Sequence, residues 1–363
     1  MRRRRSFGLK ESVCLIFTFV VLLLPVVCAS APAPVKTIKL SYSDYSPASN
    51  WWYKNGEAWM RRLEEKTNHQ LKITCYPGGT LLSQFDTYDG VLKGVADIGL
   101  IGASWTPGTF PISESVLEMP GTPVNSSHTA IYAKWDVYKK YAASLKQLSK
   151  VKVLMFLAST PMYMISQGPI NQLNDLKGKR IKVYGVMGDV IKALDAVPVE
   201  VPTVDTFIAL QRKAIDGWWG PPTVLEGFKL AEVTDSITFT PFSNTLTFMY
   251  VMNLGVWNSL PKDIQKIIEE DVETVQLESS AEAFDAAQVR GLEFAMKTNP
   301  NWKNIFLSDE EQAKWIQRIQ PVTKKNIDKV AAMGLPAHEV WAYYQERCKN
   351  YNKKFKPMGW WIK

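Results

Sequence analysis

The 363-residue chain carries 43 Lys and Arg against 35 Asp and Glu, a formal net charge of +8, with four cysteines and three histidines. Half of that charge belongs to residues 1–31, where Arg2 to Arg5, Lys10 and Glu11 sum to +4. The basicity of the whole chain is therefore no argument for nucleic-acid binding, and no basic stripe or RNA-binding signature appears later. The remainder of the chain, from residue 32 onward, suits two lobes at about 100–200 residues per domain.

The first residues read as an export signal: a positive n-region, an apolar core over Val13–Val27, and small residues at Ala29-Ser30-Ala31. The core is shorter than the ~20 residues a membrane span needs. A lipid anchor on Cys28 is the alternative, disfavoured by bulky Val27 just before it. The expected location is periplasmic. Beyond the signal only Cys75 and Cys348 remain; they form either one long-range disulfide or two unpaired thiols. The scattered histidines and cysteines have no metal-ligand spacing, and no cofactor is expected.

In chain order, VKTIKLSYS (35–43) alternates as a first strand. Ser49 or Asn50 is a plausible cap for a helix carrying Trp52, Trp59 and Leu63 and ending near Asn68. Leu71–Tyr76 is a strand stopped by Pro77-Gly78-Gly79. A short helix over Asp86–Lys93 leads to a strand over Ala96–Ile101. Ile112–Pro123 reads as an irregular connection, followed by a helix over Thr129–Leu148. Val151–Ala158 and Met162–Ser166 are extended. Strands at Arg180–Tyr184 and Glu200–Val201 alternate with helices near Asp189–Leu194 and Val204–Arg212, closing on Asp216-Gly217-Trp218-Trp219. Ile237–Thr240 and Thr247–Asn253 return as strands. Pro261 opens a long helix to about Lys297, a spine across both lobes. Two more helices come after it, the first with a capping box at Ser308-Asp309-Glu310-Glu311, and the aromatic tail PMGWWIK packs on one lobe. Strand–helix alternation predicts an α/β fold with mainly parallel sheets.

An ordered set of motifs resembles the solute-binding proteins of tripartite ATP-independent periplasmic (TRAP) transporters, the dicarboxylate-binding-protein-like family. They are TIKLSYS, EEKTN, LKITCYPGGTLLSQ, DGVLKGVADIGL, DLKGKRIKVYG, ALQRKAIDG and NLGVWNSLPKDIQ. The resemblance implies a two-lobe periplasmic-binding-protein-like fold. Lobe 1 comprises 32–164 with 246–286, and lobe 2 comprises 165–245 with 287–363. It also implies capture of a small organic acid by lobe closure and delivery to TRAP membrane permease subunits, by a protein expected to be monomeric.

The sequence departs from the resemblance where the ligand is held. Family members clamp a carboxylate with an arginine on the strand after LKG; that position is Lys182 here, with Arg180 two residues earlier on the same face. Lysine offers a mobile point charge in place of arginine's planar fork. Trp218 and Trp219 come after the Asp216-Gly217 turn, and side chains of adjacent residues diverge, so at most one of the pair faces the ligand. Trp51 or Trp52, Trp105 and Tyr184 are further crevice candidates. Phe248 and Asn253 complete the set, with core packing and strand-end capping as their competing roles; for Arg180 the competing role is a structural ion pair. The expected pocket is aromatic and suits an aromatic or apolar monocarboxylate. No GxSxG elbow, HExxH helix or phosphate-cradling loop supports a catalytic reading. An exported two-lobe enzyme and a binding protein for an ABC permease or receptor are the alternatives.

Overall fold

The computed structural model describes residues 37–242, 244–357 and 359. The export segment with Cys28, and most of the aromatic tail, lie outside them. The strands are β1 (Ile38–Ser43), β2 (Leu71–Tyr76), β3 (Ile98–Gly102), β4 (Val151–Ala158), β5 (Tyr163–Ser166) and β6 (Arg180–Lys182). They continue as β7 (Val197–Val199), β8 (Gly217–Gly220), β9 (Ser236–Phe239), β10 (Thr247–Asn253) and β11 (Lys303–Phe306). Among the described residues they form a five-stranded sheet, β2-β1-β3-β10-β4, and a six-stranded sheet, β11-β9-β5-β8-β6-β7.

Where a helix connects consecutive strands the pairing is parallel, as in β1–β2 and β6–β7, because such crossovers return the chain in the same direction. β10 and β5 arrive from the other sheet and run antiparallel to both neighbours. The sheets are thus mixed, with parallel order kept on the helix-connected strands. The two passages between sheets, after β4 and before β10, are tied together: Ser159 N donates to Leu246 O at 2.9 Å and Met162 N to Asn244 O at 3.2 Å. These bonds hold the two connecting segments side by side.

The long helical stretch runs from Lys262 to Asp271, through a π-helical turn at Val272–Gln276, and on from Leu277 to Thr298. Its Phe284 ring packs edge-on against Trp51 and Trp52. Further along, Gly291 lies so close to Pro222 that a Cβ would stand 2.1 Å from its carbonyl oxygen. The helix therefore touches elements of both sheets.

Several elements differ from the sequence reading. The Ile112–Pro123 connection begins within a short helix, Pro111–Ser115, with proline at its first position. The helix expected over Thr129–Leu148 spans Ser127–Tyr141, and 3-10 turns replace its last part. β8 lies in the middle of its sheet; buried on both faces, Gly-Trp-Trp-Gly has no alternation to betray it. β7 falls at Val-Pro-Val rather than Glu200–Val201, since proline is tolerated on an edge strand. β11 is a short edge strand that no pattern announced. The capping box is half made: Ser308 accepts from Glu311 N, while Glu311 accepts from Leu173 N. Cys75 and Cys348 are separate free thiols, so the disulfide alternative falls.

Candidate functional site: an aromatic crevice at the strand ends

The carboxyl ends of parallel strands collect ligands in α/β folds because the loops leaving those strands converge there. In this chain the loops after β1, β3, β6 and β8 converge on one crevice. Its first wall is a ring cluster. Trp52 stands edge-on to Phe248 at 4.4 Å between centroids, Trp105 lies 5.3 Å from Phe248, and Tyr45 meets Trp105 at 4.9 Å. Such edge-to-face pairs fix ring orientation as well as burying area. Trp51 stacks on Trp52 and reaches Gly227 on the far side. The second wall carries Tyr184, Thr203, Trp218 and Phe228.

Two tryptophans use glycine in the same way. Trp105 folds back over Gly102 at the end of β3, and Trp218 over Gly220 at the end of β8. A Cβ at either glycine would stand 2.7 or 2.8 Å from the ring, too close for any real contact. Among the described residues the buried indole N–H groups of Trp105 and Trp218 have no hydrogen-bond partner.

The walls are bridged. Asn50 caps the helix Trp51–Lys66 by accepting from Trp52 N at 2.9 Å, and its amide donates to Gly227 O at 3.1 Å across the crevice. Thr203 N donates to Gln84 Oε1 at 2.9 Å. The space left inside is about 30 Å³, room for one or two waters. That is far below the roughly 300 Å³ of an ordinary small-molecule pocket. Roomier hollows exist, such as one of about 450 Å³ between the helices Asp309–Ala331 and Ala337–Lys354, but they lie away from the converging strand ends.

β6 and β8 pair in register, Lys182 beside Trp218. Lys182 has no exposed surface; its ammonium nitrogen lies 3.4 Å from the Trp218 ring centroid and 5.0 Å from that of Tyr184, and it donates to Thr206 Oγ1 at 2.7 Å. Burial holds its pKa well below the ordinary lysine value, with Asp205 opposing through space. It does not line the crevice directly: the Trp218 ring covers it. Arg180 forms a two-pronged ion pair with Asp216, at 3.0 and 2.9 Å, which keeps the Asp216 carboxyl below its usual range. Arg180 is thus engaged structurally and does not reach the crevice.

Of the other expected residues, Trp51, Trp52, Trp105, Tyr184, Trp218 and Phe248 come together at the crevice. Tyr184 is fixed by bonds to Val201 O and Thr203 Oγ1, both at 2.9 Å. Trp219 points the other way: its N–H donates to Asn244 Oδ1 at 2.8 Å and its ring stacks on Phe242. Asn253 sits at the opposite end of β10, bonded to Val91 O and capping the next helix through Val256 N; it is a cap and leaves the set. Tyr45, Gln84, Thr203 and Phe228 were not singled out by sequence. Tyr45 alone had a signal, as an aromatic residue just past a strand end. Among the described residues no group of His, Cys, Asp and Glu is arranged to hold a metal ion.

These features define a two-walled aromatic crevice at the carboxyl ends of the strands, the architecture of a solute-binding protein. The chain belongs to the bacterial extracellular solute-binding proteins, family 7, whose model matches residues 42–329. It is 32% identical to a TRAP periplasmic solute-binding protein from Desulfovibrio salexigens, covering 88% of this chain and 98% of that one with a TM-score of 0.76. A solute-binding protein of Roseobacter denitrificans is 23% identical over 73% of this chain and 84% of its own. A TRAP solute-binding protein from Rhodoferax ferrireducens, solved with copurified benzoate, has the same fold at 21% identity, covering 88% and 99%, with a TM-score of 0.80. The chain is an extracytoplasmic solute-binding protein of the TRAP type.

Proposed function

We propose that this protein captures a small organic acid with an aromatic or apolar body, by closure of two lobes, and delivers it to a TRAP membrane permease. The lobes are 32–164 with 246–286, and 165–245 with 287–363. The observation that carries the reading is the crevice itself: rings on both walls, two hydrogen bonds across it, and too little space for a solute while closed. A flat apolar body gains about 0.5–1.5 kcal/mol per well-placed ring contact beyond its burial. Benzoate in the Rhodoferax ferrireducens relative supports the aromatic choice. The protein performs no chemical step in this reading: the crevice lining offers no carboxylate, imidazole or thiol to serve as acid or base. It works in the periplasm as a monomer.

The test is a thermal-shift and calorimetric screen of benzoate, 3-hydroxybenzoate, mandelate and succinate. Aromatic acids are expected to raise the melting temperature, since a ligand bound only by the folded state stabilises it. Stabilisation by succinate with none by the aromatic acids contradicts the ligand class.

A further inference from the structure

Around the crevice, loops of the five-stranded sheet meet loops of the six-stranded sheet through protein atoms alone. After β1, Asn50 and Trp51 press on Gly227, the last residue of the helix Thr223–Gly227 that comes after β8. After β2, Gln84 accepts from Thr203 N at 2.9 Å, and Phe85 stands edge-on to Tyr184 at 6.3 Å between centroids. After β3, Ser104 lies against Gly185, just past β6. Contacts that the walls supply from their own atoms favour the shut arrangement without help from a solute.

Glycine is required at the first and the last of these meetings. A Cβ on Gly185 would stand 3.1 Å from Ser104 Cβ and 3.6 Å from the Ser104 Cα and carbonyl oxygen, so part of the obstacle is backbone that cannot swing aside. Gly185 also has φ +51°, a left-handed conformation that glycine adopts freely. A Cβ on Gly227 would stand 3.0 Å from Asn50 Nδ2 and 3.4 Å from the Trp51 indole nitrogen. That Asn50 nitrogen is the donor to Gly227 O at 3.1 Å, so the obstructed atom is the one that ties the walls. Gly178 is the contrast: at φ +73° it has nothing within 4 Å of its Cβ position. Its glycine answers to the backbone alone. The glycine at 185 answers to the opposite wall as well, and that at 227, which is not left-handed, to the opposite wall only.

We propose that Gly185 and Gly227 are latch positions that hold the crevice shut against its own solute. The shut form encloses about 30 Å³, too little room for an organic acid, so it competes with the solute-bound form. The inference rests on the lobe-closure reading above and adds an arrangement to it: besides open and closed on a solute, the protein has a shut form latched on itself. A protein that spends part of its time in a form unable to bind shows an affinity reduced by the fraction able to bind. In return, the ring-lined walls cover each other while no solute is held, which keeps apolar surface out of water.

The test measures the radius of gyration of the ligand-free proteins by solution scattering, and benzoate affinity by calorimetry, for wild type, Gly185→Ala, Gly227→Leu and the control Gly178→Ala. The two latch variants are expected to be larger than wild type and to bind benzoate on the order of tenfold more tightly, because the competing shut form is lost. Gly178→Ala puts alanine at the same kind of left-handed position with no neighbour to push, and should match wild type in both. An expansion shared by the control is backbone strain and overturns the latch. Should Gly185→Ala fail to fold, Gly227→Leu decides, since no left-handed backbone is involved there. Latch variants with the wild-type radius overturn the inference. Larger variants that bind benzoate more weakly also overturn it, because the contacts then serve the solute-bound form; the closure reading survives. If benzoate binds none of the proteins, the ligand class above fails and the radii decide alone: larger latch variants support the inference, and equal radii overturn it.

Discussion

Two rungs of one strand pair carry the same ingredients to opposite ends. At the start of β6 and β8, Arg180 meets Asp216 in a solvated, fully matched ion pair; at the end, Lys182 meets Trp218, buried and matched by no carboxylate among the described residues. Residues two apart on a strand share a face, so both cations face the same way. What separates them is position along the strand: only the carboxyl end opens toward the crevice. A cation paired within the protein is structural. A cation buried without a carboxylate partner is held toward its neutral form instead.

The largest expected effect breaks the second rung. Trp218→Ala removes a buried indole, which costs about 3–5 kcal/mol in typical cores, read as a lower urea midpoint. A loss below about 1 kcal/mol shows that the ring is not packed as a wall. Gly220→Ala comes next. Its Cβ would press on the Trp218 ring at 2.8 Å, so a destabilisation of about 1–3 kcal/mol is expected, with altered near-ultraviolet circular dichroism from the displaced indole. Unchanged spectra and stability contradict the placement of the ring.

Asn50→Ala removes a helix cap and a bond across the crevice together, for about 1 kcal/mol. The radius of gyration from solution scattering is expected to rise in the ligand-free variant; an unchanged radius shows that Asn50 does not hold the walls closed. Another cation sharpens the contrast on the matched side. His128 lies between Asp285 at 2.7 Å and Glu278 at 3.2 Å. Burial lowers its pKa, but the two carboxylates outweigh it and the net shift is upward. Its contribution is therefore full below the unfolded histidine value and lost as pH rises through the raised one. His128→Gln should lower the melting temperature more at pH 6 than at pH 9, by up to about 1 kcal/mol of stability; a pH-independent difference contradicts the charge pairing. Smallest of all, Arg180→Gln should leave affinity for benzoate within about twofold of wild type, as expected for a solvated pair. A tenfold loss places Arg180 in the ligand site.

Much of the fold is legible in the sequence where local and tertiary signals agree. Leu71–Tyr76 and Thr247–Asn253 lie where alternation and apolar runs put them. β8 escapes because a four-residue strand buried on both faces carries no period, and its leading Asp-Gly resembles a turn. The crevice is legible as a set of aromatic residues after strand ends, and the divergence of adjacent side chains anticipates that Trp218 and Trp219 part company. Which of the two faces the crevice depends on strand register: Trp218 is the partner of Lys182, and that pairing joins residues 36 positions apart in sequence. The sealing of Lys182 is equally invisible to a linear reading, since a lysine at a strand end reads as solvated until its neighbours in the sheet are known. Asn50 shows the reverse case, a cap visible in sequence whose second bond to Gly227 spans 177 residues.

A crystal structure of the wild-type protein grown with benzoate tests the aromatic crevice as the binding site most directly. The expected result is a benzoate ring between the parted walls, in contact with Trp52 or Trp105 on one side and Trp218 on the other. Benzoate seated away from these rings, with the crevice still closed, would contradict it.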